Sequence, residues 1–80
     1  MKLPVIRKLA ETKTISELQL AEEAILNDTE LPFLIEGDDR GEQLTHVLSA
    51  IEILQMVESG ETLVHSIREF SKRVRDSIQS

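Results

Sequence analysis

The stretch that most restricts how this chain can fold runs from Leu44 to Val57. Leu44, Val47, Leu48, Ile51 and Leu54 fall at the spacings of a helix face turned towards a core. Beyond Ile51 the pattern changes. At about 100° per residue, Ile53 lies opposite Leu44, with Met56 and Val57 on either side of it. The C-terminal half of a helix over 40–58 is therefore apolar on nearly all sides and calls for burial on more than one of them. With 80 residues, the chain makes one domain, 1–80, and domains of this size often need a staple or a partner. No cysteine is present, which excludes a disulfide framework and a thiolate zinc site. Three other short helices offer little to surround the third, so the expectation is a second copy. That places Ile53, Met56 and Val57 at the interface of an intertwined homodimer.

The remaining elements are also helical. Pro4 suits a first helical turn, and Val5, Ile6 and Leu9 give a short helix over about 3–11 its apolar stripe. Thr14 with Glu17 reads as a capping box opening a second helix over about 15–27, with Leu18, Ala21 and Ile25 on one face. Asn27, Asp28 and Thr29 end it as a turn cluster. Residues 31–36 are too short for a helix and contain Pro32, so they form an extended crossing or one short strand. The loop from Glu36 to Glu42 holds aspartates able to cap the third helix. Gly60 is suited to end that helix, and Thr62 to cap a fourth over about 62–79. The fourth helix has the stripe Leu63, Ile67, Phe70, Val74 and Ile78, with Lys72, Arg73 and Arg75 placed to complement its dipole. The expected fold is all-α: two short N-terminal helices, then a long third helix and a C-terminal helix forming an αα-hairpin. Leu48, Ile51, Leu54, Ile67, Phe70 and Val74 are its expected core.

Charge is unevenly spread. Residues 1–13 carry a net +3, residues 14–61 a net -11 and residues 62–80 a net +2, giving -6 overall. Solvated faces account for this, or basic and acidic segments meet within a chain or between chains. The acidic balance argues against binding that depends on neutralising phosphates, so no nucleic-acid partner is expected. Phe33 and Phe70 are the only aromatics, too few for a base-stacking platform. There is no leader-like opening and no run long enough for a bilayer, so a cytoplasmic protein without a membrane partner is expected.

Candidate chemistry is sparse. Glu36, Asp38 and Gly41 fall at positions 1, 3 and 6 of a calcium-binding loop. However, Arg40 and Val47 stand at positions 5 and 12, where oxygen ligands are required. His46 follows Glu42 by four residues, and His65 lies between Glu61 and Glu69 at the same spacing. Such a ladder supplies part of a metal site, but its ligands spread along the axis and an i,i+4 interaction accounts for it. Gly60 between two helices resembles a helix-turn-helix turn, yet Met56 and Ser66 stand where small and apolar residues belong. No nucleophile–His–carboxylate set and no Gly-rich phosphate loop is present, so no enzyme and no cofactor are expected.

The opening Met1-Lys2-Leu3-Pro4-Val5-Ile6-Arg7-Lys8-Leu9 resembles the start of a family of small uncharacterised bacterial proteins of similar length. Gly41–Val47 and Phe70–Val74 resemble it too, and the likeness covers essentially the whole chain. A domain of unknown function with no transferable site residue is what this resemblance implies. A weaker similarity, in helix order and in the ending of the last helix, is to small helical homodimeric proteins of unknown function.

The functional expectation is a non-enzymatic, homodimeric protein-interaction or adaptor domain. Its partner contacts would come from Asp38 and Asp39 in the acidic loop, or from Arg68, Lys72 and Arg75 on the last helix. The alternative is a small-ligand or metal-binding protein using His46 or His65 with nearby carboxylates.

Overall fold

The computed structural model describes residues 1–79, with side chains to Ser77. Helix α1 spans Leu3–Thr12 with proline in its first turn, where the missing N–H costs no hydrogen bond, and it buries Val5, Ile6, Leu9 and Ala10. Helix α2, Ile15–Leu26, opens with the expected capping box: the Thr14 hydroxyl accepts from the Glu17 N–H, and the Glu17 carboxylate accepts from the Thr14 N–H. It buries Leu18, Ala21, Ala24 and Ile25. Asp28, with φ 54°, turns the chain out of the helix, a conformation that short polar side chains tolerate.

No strand forms between α2 and α3. Residues 31–36 form an irregular segment with a bend at Pro32 and Phe33, anchored by the fully buried Ile35. The Gln43 side-chain amide donates to the Ile35 carbonyl at 3.0 Å. Gly37 passes so close to Gln43 that a Cβ there would meet its Cγ at 2.9 Å.

Helix α3, Arg40–Glu58, is capped by Asp39, whose carboxylate accepts from the Glu42 N–H. At its other end Glu61 N–H reaches the Met56 carbonyl and Gly60 N–H reaches that of Val57. Gly60, with φ 113°, holds the left-handed position of this Schellman closure. Helix α4, Leu63–Gln79, is capped by the Thr62 hydroxyl, which accepts from the His65 N–H at 3.1 Å. Because α4 continues to Gln79, Lys72, Arg73 and Arg75 precede its last turn and lie too far from its end to complement the dipole strongly. Ile78, assigned to the α4 stripe by spacing, lies outside the residues whose side chains are described.

Each of the other three helices packs on α3, and α4 also touches α1. This arrangement encloses Ile53. Its side chain is 0% exposed within one chain. Met56 and Val57 are half-buried. Leu48, expected in the core, is 44% exposed. Ile51 and Phe70 are buried, while Leu54, Ile67 and Val74 pack against the core at its margin.

The cause is a rotation of α3 relative to its leucine stripe. The buried arc is centred on His46, Ala50 and Ile53, not on Leu44 and Leu48. Ala50 and Ser49 let neighbouring helices approach closely, and burying that side takes precedence over covering Leu48.

Candidate functional site

Two places gather the chain's polar chemistry, and His46 organises the first. Its ring is 0% exposed. Nδ1–H donates to the Glu36 carbonyl at 2.8 Å and Nε2 accepts the Lys2 backbone N–H at 3.0 Å. Those partners define a neutral imidazole with the proton on Nδ1. One side chain thus joins the start of α1, the 31–39 segment and α3, and neither nitrogen is left for a metal.

Around it the acidic loop serves the fold. Asp39 caps α3, Asp38 pairs with the Lys2 ammonium at 3.8 Å, and Glu42 receives both the Asp38 N–H at 2.8 Å and the Met1 ammonium at 3.4 Å. The Asp38 N–H bond holds the Glu42 carboxyl below its ordinary value, assisted by the Met1 and Lys2 charges. Glu17 is lowered in the same way by the Thr14 N–H. Basic and acidic segments therefore meet within the chain, and Arg73 extends the pattern by pairing with Glu52 at 2.7 Å. His65 pairs with Glu61 at 3.2 Å on the solvated side of α4. Among the described residues no three His, Cys, Asp or Glu side chains converge as a metal site would require.

The second place is the groove between α1 and α4. Helix α4 turns Leu63, Ile67, Phe70 and Val74 inwards at three- and four-residue spacing. The same periodicity lines up Val64, Arg68, Lys72 and Arg75 on its outer side, all exposed. Against α1 this leaves a groove of about 300 Å³, floored by Leu3, Pro4, Ile6, Ile53, Ile67 and Phe70 and edged by Arg7, Lys8, Glu11 and Ser71. Its surface continues past Arg68 to Lys72 and Arg75 in one direction, and past Leu63 and Val64 in the other. Arg7 is paired with Glu11 at 3.2 Å. The side-chain charges of Lys8, Arg68, Lys72 and Arg75 have no partner among the described residues.

Sequence reasoning reached Arg68, Lys72 and Arg75 but missed Leu3, Pro4, Arg7 and Lys8 opposite them. The available signal was that Leu3, Arg7 and Glu11 recur at four-residue spacing beside the α1 core stripe.

A sequence family matches residues 1–79. The chain belongs to DUF6952, a family of unknown function. This agrees with the expectation of a domain of unknown function covering essentially the whole chain. No curated protein and no solved structure matches the chain. Membership in DUF6952 brings no assigned residue with it, so the functional reading rests on this chain's own geometry. No helix among the described residues is long and apolar enough to cross a membrane.

Proposed function

We propose that this chain is a non-enzymatic protein-interaction domain whose partner-facing surface is the α1–α4 groove. One observation carries the reading. The uncommitted cations Lys8, Arg68, Lys72 and Arg75 stand along an apolar groove, while the acidic loop is engaged in capping and pairing. An apolar floor with a charged edge suits an amphipathic segment, whose apolar side supplies affinity while its charges set orientation and specificity. Carboxylates flanking that segment's apolar stripe would match the groove's edge. This moves the partner contacts away from Asp38 and Asp39 and keeps them at Arg68, Lys72 and Arg75. We take the cytoplasm as the working compartment.

The test is an NMR titration of the full chain with a synthetic amphipathic helix bearing leucines flanked by glutamates. The reading expects shifts concentrated at Leu3, Arg7, Ile67 and Ser71, and their loss in R68E/K72E. Shifts confined to the His46 corner, or none at millimolar peptide, would overturn it.

A further inference from the structure

Two uncovered surfaces of opposite sign stand on this molecule. One is the α1–α4 groove with its cationic edge. The other is the outer face of α2. Leu20 and Leu26 are 59% and 64% exposed there, and helical periodicity places the exposed Glu23 between them. Glu22 precedes Leu26 by one turn. Neither Glu22 nor Glu23 has an ion-pair partner among the described residues.

Surface leucines standing singly are ordinary. Two on the exposed side of one acidic helix, roughly 120° apart about its axis with Glu23 between them, in a molecule that also carries an apolar groove edged by cations, form a complementary set. Among the described residues helix α2 packs on α3 and makes no close backbone approach to α4 or α1, so a chain does not cover its own groove with its own α2.

We infer that the groove receives the α2 face of a second copy of this chain, with Leu20 and Leu26 over Leu3 and Ile67, and Glu22 and Glu23 towards Arg68 and Lys72. The inference rests on the reading of the groove as an interaction surface and supplies its occupant. A formal net charge of -6 on each copy opposes approach, so local complementarity has to overcome a general repulsion. That places the contact at the small, transient end of interfaces, below about 1,200 Å² in total. The two surfaces joined are different, which makes the contact heterologous. It closes at two copies only where both α2 faces seat reciprocally about a two-fold axis, and otherwise propagates to a ring or a chain.

Sedimentation velocity of the full chain, from micromolar to millimolar, tests the inference. The weight-average mass should rise with concentration. R68E/K72E and E22K/E23K should each weaken association by about tenfold or more, equivalent to at least about 1.4 kcal/mol. An equimolar mixture should restore association, because the reversed groove of one variant then faces the reversed α2 of the other. Circular dichroism checks that each variant retains its helix content. L20Q/L26Q, which changes no charge, should weaken association as well. A monomer across the whole range would overturn the inference, and so would association indifferent to both charge reversals. If the synthetic acidic helix still shifts the groove resonances of a strictly monomeric chain, the interaction reading stands and only the second copy is removed. If neither binds, both readings fall.

Discussion

Where α1 begins, the His46 imidazole, the Met1 ammonium and the carboxylates of Asp38, Asp39 and Glu42 all have partners inside the chain. Along the groove between α1 and α4, the charges of Lys8, Arg68, Lys72 and Arg75 have none among the described residues. The two regions use similar side chains on helices packed against the same α3. The difference lies in commitment: polar groups partnered within the chain hold the fold together, whereas cations left in solvent beside apolar surface are available to another molecule. The contrast also separates the two histidines. His46 is structural, and the half-exposed His65 has a single carboxylate for company.

That comparison makes the two regions separable by substitution. The largest effect is expected at Phe70, which belongs to both, since it lines the groove and lies 6% exposed in the core. Phe70→Ala should cost about 3–5 kcal/mol, measured by chemical denaturation, and in a domain this small that would leave little folded protein. His46→Phe comes next. It keeps the ring volume but strands the Lys2 N–H and the Glu36 carbonyl, for a loss of roughly 2–4 kcal/mol. His46→Gln, which can both donate and accept, should recover part of it. If His46→Phe leaves the denaturation midpoint unchanged, the corner is not the structural centre described here.

Gly37→Ala probes the same corner by crowding. Its Cβ would meet the Gln43 side chain at 2.9 Å and backbone nitrogen at 3.0 Å, so a loss of about 1–3 kcal/mol is expected.

Acid should act on the same side of the molecule. Glu42 has its folded value lowered by the Asp38 N–H and the nearby positive charges. Its contribution is therefore fully present above the ordinary glutamate range and is lost as pH falls through the lowered folded value. Glu42→Gln should be less stable than wild type at neutral pH and should lose less on acidification. Parallel pH profiles of the two proteins would refute that link. The smallest effect on stability is expected in the groove, where R68E/K72E should stay within about 0.5 kcal/mol of wild type while weakening partner binding by about tenfold or more.

Local chemistry was readable in the sequence to a large extent. Thr14 with Glu17, Asp39, Gly60 and Thr62 each end or begin a helix where their side-chain and backbone preferences direct, because caps depend on neighbours a few residues away. Which side of α3 is buried was not readable. Its leucines favour the Leu44–Leu48 side, but the buried side is chosen by what α1 and α4 can pack against, and small residues with one satisfied histidine serve better there. His46 looked like half of a ladder with Glu42. Its actual partners are backbone groups of residues 2 and 36, brought to it only by the tertiary fold. The groove is a long-range product of the same kind: Arg68 and Lys72 were visible, while the apolar floor from α1 depends on how two distant helices meet.

The central position of α3 has a consequence for how the molecule opens. Helices α1, α2 and α4 all dock on it. Amides deep in α3, such as those of Val47 and Ala50, should exchange with solvent only when the whole chain unfolds.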